Sequence, residues 1–311
     1  MPLHALAHRC RLGLGRSLVL LAGLGAATVL AQGGGVPSSA APEPKRVVIL
    51  MGSDPSLPAL RLFDDAFRKS LQAATPAGIT FFTDTLDAQR FSYAAIAPEF
   101  LALERKKYAA QRVDLVVGIA EGAADFIRDH GPALWPDAPV LLSGLDDDRT
   151  DRSKLAPGAD VQFWRLDIDG TLALIETLQP NAKRMVIIGG TADYDRNLTA
   201  RVVERANNRA RWQVEVWDRY AVEEALSRVA ALDRSTAVIF ATMLRDGQGR
   251  AGFSVDVLSR IAANSRAPIY GLYGTYIGRG AVAGKVVDFP ELGRRAGQQA
   301  AALLGDRKSV V

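Results

Sequence analysis

The chain has few of the cysteine and histidine side chains on which many catalytic sites depend. Its 311 residues include one cysteine, Cys10, and three histidines, of which only His130 lies after residue 31. Disulfide bonds, paired-histidine metal sites and a choice of triad histidines are therefore excluded for the main body of the sequence. A G-x-x-x-x-G-K-S/T phosphate loop is also missing. We predict no catalytic residue, no metal site and no cofactor.

Outside the N-terminal segment, positive and negative charges nearly balance. The formal net charge is +4, but residues 1–31 hold Arg9, Arg11 and Arg16 and no acidic residue. Without that segment the balance is 35 basic against 34 acidic residues. A nearly neutral body has no electrostatic footprint for nucleic acid, so we predict no nucleic-acid partner.

The N-terminal segment has the order of an export signal. Arginines come first, Ser17–Ala31 is uncharged, and Val29, Leu30 and Ala31 end the run. The apolar stretch is short for a spanning helix, which needs about 20 residues. We predict that residues 1–31 are a cleaved signal peptide or a retained N-terminal membrane anchor, and that residues 32–44 form a flexible linker. The rest is then periplasmic, either free or anchored to the inner membrane by residues 17–31.

Short apolar runs alternate with amphipathic helical patterns along the body, which predicts an α/β fold with parallel sheets. The predicted strands are Val47–Met51, Ile79–Thr83, Val113–Ile119, Pro139–Ser143, Arg184–Gly189, Gln213–Trp217, Ala237–Thr242 and Pro268–Gly271. The predicted helices are Leu57–Ala74, Ala94–Gln111, Glu121–His130, one around Leu172 that Pro180 ends, Tyr194–Arg211, Val222–Leu232, Phe253–Asn264 and Pro290–Leu304.

A charged stretch that contains Pro157 and Gly158 interrupts this alternation after Leu145, and the pattern then restarts. We predict a first lobe over residues 45–145, a crossover over 146–160, a second lobe over 161–279, and a return segment with a helix to the first lobe over 280–305. In such a pair of lobes the carboxyl ends of both sheets surround one cleft, where ligands bind.

Five segments in this order resemble the ABC-transporter substrate-binding family of the type I periplasmic-binding-protein fold. More narrowly, they resemble the version that forms the extracytoplasmic sensor domain of bacterial histidine kinases. The segments are ILMGSDPSLPALRLFDDAFRKSL (Ile49–Leu71), DLVVGIAEGAADFI (Asp114–Ile127), WPDAPVLLSGL (Trp135–Leu145), LQPNAKRMVIIGG (Leu178–Gly190) and GAVAGKVVDFPELGRRAGQQAAALL (Gly280–Leu304). The resemblance implies a two-lobed receptor for a small organic solute, without fixing which one. We predict a solute of the amino acid, purine or carboxylate class.

Three functions are consistent with this resemblance and with the residues. We predict first a sensor domain whose partner is its own kinase module, because the SDPSLPA segment resembles that branch. The alternative is a periplasmic binding protein whose partner is a permease, and a weaker alternative is an α/β enzyme. Residues 306–311 back-translate to a sequencing adaptor, so we predict a non-native tail there and a native C-terminal continuation that this sequence lacks.

Candidate ligand-binding residues follow the predicted strands, where the cleft is expected. Each also has a structural alternative, such as helix capping, a hinge or core packing. The candidates are Ser53, Asp54, Glu121, Gly122, Ser143, Gly144, Thr191, Tyr194, Thr242 and Tyr273. Residues 247–252 spell G-x-G-x-x-G, but no acidic residue lies near position 272, so we interpret them as a flexible loop rather than a dinucleotide site.

Overall fold

A computed structural model describes residues 43–88 and 91–306. The predicted signal or anchor at 1–31, the linker up to residue 42 and the tail after residue 306 lie outside the described residues. Among the helices that the structure describes, none combines the length and the apolar character needed to span a membrane.

The described chain alternates strands and helices almost throughout. The strands are β1 (Lys45–Met51), β2 (Ile79–Thr85), β3 (Leu115–Ile119), β4 (Val140–Asp146), β5 (Asp160–Trp164), β6 (Arg184–Gly189), β7 (Gln213–Trp217), β8 (Thr236–Thr242) and β9 (Ile269–Gly271). The helices are α1 (Pro58–Ala74), α2 (Tyr93–Tyr108), α3 (Glu121–Leu134), α4 (Ile168–Leu178), α5 (Asp193–Asn208), α6 (Val222–Ala230), α7 (Ser254–Asn264) and α8 (Phe289–Asp306).

The strands form two separate parallel sheets. The first has the order β2-β1-β3-β4-β5, and the second has the order β7-β6-β8-β9. Every neighbouring pair of strands is parallel. Parallel strands put their carboxyl ends at one edge of the sheet, so each sheet has a single edge at which ligand-binding loops gather. The predicted two-lobed α/β fold is confirmed.

The elements form where the sequence pattern is strongest. Strands β1, β3 and β8 are apolar runs that the fold buries almost completely, as expected for parallel strands covered on both faces. Helix α1 begins with Pro58, whose missing N–H costs nothing at that position. The helix buries one stripe, Phe63, Phe67 and Leu71, against the first sheet.

The boundary predicted between the two lobes needs correction. We predicted a crossover up to residue 160 and a second lobe from residue 161, but β5 pairs with β4 along the first sheet, from Leu141 opposite Asp160 to Asp146 opposite Trp164. The strand escapes prediction because it is a partly exposed edge strand that follows a charged stretch, so its alternation is weak. The chain enters the second sheet's half only after residue 164.

Helix α8 returns to the first half and packs along α1. A Cβ atom at Gly297 would lie 2.7 Å from the carbonyl oxygen of Phe67, which shows how closely the two helix backbones approach. The side chain of Gln162 on β5 also donates to the carbonyl of Leu292 on α8 at 3.1 Å. We call β1–β5, α1–α3 and α8 the first half, and α4–α7 with β6–β9 the second half.

Candidate functional site

A cavity lies where the carboxyl ends of both sheets face each other. This inner cavity has a volume of about 170 Å³. Its lining comes from both halves: Ser53, Leu57, Pro58, Ala59, Leu60, Phe63, Ile119, Ala120, Glu121, Gly144, Trp164, Tyr194, Thr242, Leu244, Phe253, Ser254, Val255, Tyr273, Thr275, Tyr276, Phe289 and Leu292. A molecule held there would therefore touch both halves at once.

A larger outer cleft of about 890 Å³ continues the inner cavity toward the surface. Six residues line both spaces, namely Ser53, Leu57, Glu121, Tyr194, Leu244 and Phe253. The remaining lining of the outer cleft is Gly52, Asp54, Ala88, Tyr93, Gly122, Asp125, Arg149, Thr191, Ala192, Asp193, Arg196, Arg245, Ala251 and Gly252. The lining of the outer cleft therefore carries charges of both signs, unlike that of the inner cavity.

Aromatic rings form one wall of the inner cavity. The ring of Tyr273 stacks on Phe289 with centroids 6.1 Å apart, and its edge meets Tyr276 at 5.2 Å. Trp164, at the end of β5, lies 6.4 Å from Tyr273. Trp164 and Phe289 belong to the first half and the two tyrosines to the second. The wall thus joins the halves, and it offers apolar surface to a flat or aliphatic ligand.

Two phenol groups meet at the boundary between the inner cavity and the outer cleft. The hydroxyl oxygens of Tyr194 and Tyr273 lie 2.6 Å apart and share a hydrogen bond. Burial raises the pKa of Tyr194 to about 12 and that of Tyr273 well above its ordinary value, so both phenols are neutral at physiological pH. The guanidinium of Arg149 lies 5.2 Å over the ring of Tyr194, which is a cation–π contact between the segment after β4 and helix α5.

Glu121 is the first residue of α3 and lines both spaces. Burial raises the pKa of its carboxyl group, and the carboxylates of Asp146 and Asp125 add to this rise. A hydrogen bond from its own backbone N–H and the charge of Arg149 oppose it. Within the described residues Glu121 has no ion-pair partner within 4.0 Å. Its carboxyl group therefore faces the cavity half-buried and without an ion-pair partner among the described residues.

The backbone that presents Glu121 has an unusual conformation. Ala120 has a φ of +70°, which is in the left-handed region that residues with a side chain rarely adopt. Its N–H donates to the carbonyl of Ser143 at 2.9 Å, and Gly144 beside it has a φ of +72°. A β-bulge interrupts the pairing of β4 with β5 at this point. Such strained backbone is frequent at ligand sites, where it fixes the direction of a side chain.

The structure brings nine of the ten predicted site residues to these two spaces. Ser53, Glu121 and Tyr194 line both; Gly144, Thr242 and Tyr273 line the inner cavity; Asp54, Gly122 and Thr191 line the outer cleft. Whether they bind a ligand stays a prediction.

Ser143 is the exception, because it lines neither space. Its side chain is buried, and its hydroxyl donates to Gln162 Oε1 on the neighbouring strand at 2.7 Å. Since successive side chains of a strand point to opposite faces, the strand directs Ser143 into the protein while the bulge exposes Gly144.

Several lining residues were not predicted from the sequence. Trp164 was missed because strand β5 was missed, and Phe289 because it was assigned to the connection before the last helix. Arg149 was treated as part of a solvated crossover. The signal that could have found Trp164 is a tryptophan at the end of a partly alternating segment, VQFW.

The segment after β4 is tied to the second half by ion pairs. The guanidinium of Arg201 on α5 lies 2.7 Å from the carboxylate of Asp146 and 2.6 Å from that of Asp148. Asp146 is fully buried. The acidic residues at 146–148 therefore form ion pairs with arginine, and the pairs of Asp146 and Asp148 with Arg201 connect the two halves.

The G-x-G-x-x-G segment forms a loop around the carboxylate of Asp246. The N–H groups of Gln248 and Arg250 both donate to Asp246 Oδ1 at 2.9 Å, and the Arg250 guanidinium donates to Oδ2 at 2.8 Å. The N–H groups that a phosphate would need are therefore used by the protein's own acid.

Comparison with solved structures identifies this arrangement. A ligand-free, open substrate-binding protein with adhesive properties from Clostridium difficile matches with a TM-score of 0.57 and 17% identity, covering 84% of this chain and 85% of that chain. The chain has the type I periplasmic-binding-protein fold. An ABC domain in complex with L-Trp from Streptococcus pneumonia also has this fold, with a TM-score of 0.55, 18% identity and coverage of 85% of each chain.

A third structure of the periplasmic-binding-protein fold is a carbohydrate transporter from Acidothermus cellulolyticus 11B in complex with myo-inositol. It matches with a TM-score of 0.51 and 15% identity, over 86% of this chain and 90% of that chain. No protein-family model matches the sequence, and no curated protein is significantly similar to it. At these identities the likeness concerns the fold.

Proposed function

We propose that this chain is an extracytoplasmic binding protein that encloses a small organic solute between its two halves and delivers it to a permease. The observation that carries the proposal is the inner cavity, whose wall combines side chains from the carboxyl ends of both sheets. A ligand that contacts both halves favours the arrangement in which they are close, and that shift is what a permease recognises.

The similar structures support transport more than sensing. They are a substrate-binding protein, an ABC domain and a carbohydrate transporter. The sequence resemblance favours the kinase sensor, whereas these neighbours in fold support the transport alternative. An enzyme is the weakest alternative, because the hydroxyl groups that line the inner cavity, such as Ser53 and Ser254, have no histidine beside them in that lining.

The proposal is tested by asking whether the protein binds a small molecule without converting it chemically. The purified chain is screened by thermal shift against amino acids, purines, sugars and small carboxylates, and hits are measured by calorimetry. We expect a hit to be recovered chemically unchanged and to reduce the radius of gyration measured by small-angle X-ray scattering. Chemical conversion of the hit, or the lack of any hit, would contradict the proposal.

A pair of leucine variants locates the ligand. Leu57 lines both spaces, whereas Leu178 is exposed at the end of α4. We expect Leu57→Ala to weaken binding about tenfold, because it removes apolar contact from the cavity. Leu178→Ala should leave the affinity unchanged. Equal affinity of both variants and the parent chain would place the ligand outside the inner cavity.

A further inference from the structure

The charged residues of the cleft are divided unevenly between its two parts. Among the described residues that line the inner cavity, Glu121 is the only one with a charge. Arg149, Arg196 and Arg245 line the outer cleft but not the inner cavity. The described lining of the inner cavity therefore presents one acidic side chain and no basic one to a ligand.

The carboxyl group of Glu121 has no ion-pair partner among the described residues, although it lines a largely apolar cavity. Burying an ionised carboxylate is costly unless it is paired. Glu121 is half-buried, makes no ion pair among the described residues, and feels the repulsion of Asp146 and Asp125 as well as the attraction of Arg149. A cation that enters the cavity would supply the missing partner.

The aromatic wall has the same preference for positive charge. The faces of tyrosine and tryptophan rings carry negative electrostatic potential, which attracts ammonium groups and repels carboxylates. Trp164, Tyr194 and Tyr273 line the cavity together with Glu121. The volume of about 170 Å³ is close to that of a cavity that holds one benzene molecule, about 150 Å³.

From these observations we infer that the solute is an organic cation, an ammonium group on a small apolar body, whose positive charge the carboxylate of Glu121 binds inside the aromatic cavity. This inference depends on the proposed solute-binding function and specifies its ligand class. A carboxylate on the ligand is not required, because the inner cavity has no basic side chain to receive one.

The test compares cations with uncharged and anionic molecules of the same shape by calorimetry. One set is 2-phenylethylamine, 2-phenylethanol, 3-phenylpropionate and L-phenylalanine, and the other is choline and 3,3-dimethylbutan-1-ol. We expect at least one cation to bind tenfold or more tightly than its uncharged counterpart, and 3-phenylpropionate to bind more weakly than either. An alcohol or carboxylate that binds as tightly as both cations would overturn the inference.

Two variants on one helix assign the preference to Glu121. We expect Glu121→Gln to lower the affinity for the cation at least tenfold and to leave that for the matched alcohol within twofold. Asp125→Asn is the control, since Asp125 lies on the same helix but lines only the outer cleft, and we expect less than a threefold change. Melting curves verify that both variants fold. A cation preference that survives Glu121→Gln overturns the inference.

The outcomes separate the inference from the proposed function. If neither cation binds but the broader screen yields a ligand whose affinity depends on Leu57, the protein is a solute receptor for another class, and only the inference fails. If the screen yields no ligand at all, both fail.

Discussion

Glu104 is a buried acid on helix α2, in the first half of the molecule. Its side chain is fully buried, and its Oε1 lies 3.3 Å from the ammonium group of Lys107, while Oε2 has no hydrogen-bond partner among the described residues. Burial, followed by the negative charge of Asp84, raises the pKa of Glu104 from 4.5 to about 7. Its protonated form is therefore favoured in the folded protein.

The free energy of unfolding should consequently fall as the pH rises from 4.5 to 7. Between pH 4.5 and 7 the folded protein holds the Glu104 proton more tightly than the unfolded chain does, so this contribution is complete below 4.5 and lost above 7. We expect Glu104→Gln to abolish a pH-dependent loss on the order of 3 kcal/mol in the free energy of unfolding.

Urea unfolding at pH 5 and pH 8 measures this difference. Glu99→Gln is the matched control, because Glu99 is an exposed acid on the same helix. We expect the control to follow the parent chain at both pH values. Identical pH dependence of Glu104→Gln and the parent chain would refute the prediction.

At the scale of single residues, the sequence predicted positions better than roles. Glu121, Gly144 and Thr242 could be found because they follow buried strands, and the carboxyl ends of parallel strands are where ligands bind. The electrostatic environment of Glu121 could not be predicted, because it depends on Arg149 and Asp146, which come from a distant part of the chain.

At the scale of elements, the contact between α1 and α8 depends on glycine. A Cβ atom at Gly297 would lie 2.7 Å from the carbonyl oxygen of Phe67, and one at Gly293 would lie still closer to that of Phe63. Real Cβ atoms do not approach a carbonyl oxygen so closely, so a side chain there must push the helices apart.

We expect Gly293→Ala to lower the free energy of unfolding by about 2 kcal/mol, because overpacking separates α8 from α1. Gly305→Ala is the control, since Gly305 lies in the same helix and nothing would contact its Cβ atom within 4 Å. Alanine's helix propensity should leave that variant unchanged or up to about 1 kcal/mol more stable. Equal stability of the two variants in urea would disprove the close helix contact.

Most elements could be predicted because each follows one clear hydrophobic pattern, either a continuous apolar run or a helical periodicity. Strands β6 and β7 have the predicted bounds, Arg184–Gly189 and Gln213–Trp217, and helix α7 begins one residue later than predicted. Strand β5 could not be found, because an edge strand with one exposed face gives neither a continuous apolar run nor clear alternation.

At the scale of the whole molecule, Arg201 connects the two halves. Its guanidinium pairs with the buried carboxylate of Asp146 and with Asp148. Removing one partner of a buried pair leaves an uncompensated charge, which costs about 3–5 kcal/mol. Removing a partner of an exposed pair costs about 1 kcal/mol or less.

We therefore expect Arg201→Met to lower the free energy of unfolding by about 3 kcal/mol. Arg205→Met is the control, because Arg205 lies one turn further along α5 and pairs with the half-exposed Asp169 within the second half. Chemical unfolding should show a loss of about 1 kcal/mol or less for it. Adding Asp146→Asn to Arg201→Met should restore part of the stability; if it restores none, the pair is not the cause.

The two-lobed fold class could be predicted from the alternation of strands and helices, since that alternation leaves few arrangements. The ranking of sensor above transporter could not be decided in this way, because both use the same two lobes. The nature of the solute depends on which side chains from distant segments share the inner cavity, such as Glu121 with Trp164. No local pattern encodes that combination.

Within the described residues, the backbone passes from one half to the other twice, at residues 165–167 and just before Phe289. Two connections between the halves restrict their relative rotation to one axis, the line that joins the connections. Trp164 and Phe289 lie beside the two connections. We therefore expect these rings to move less than the distant rim of the cleft when the halves rotate, so that the aromatic wall keeps its shape in both arrangements.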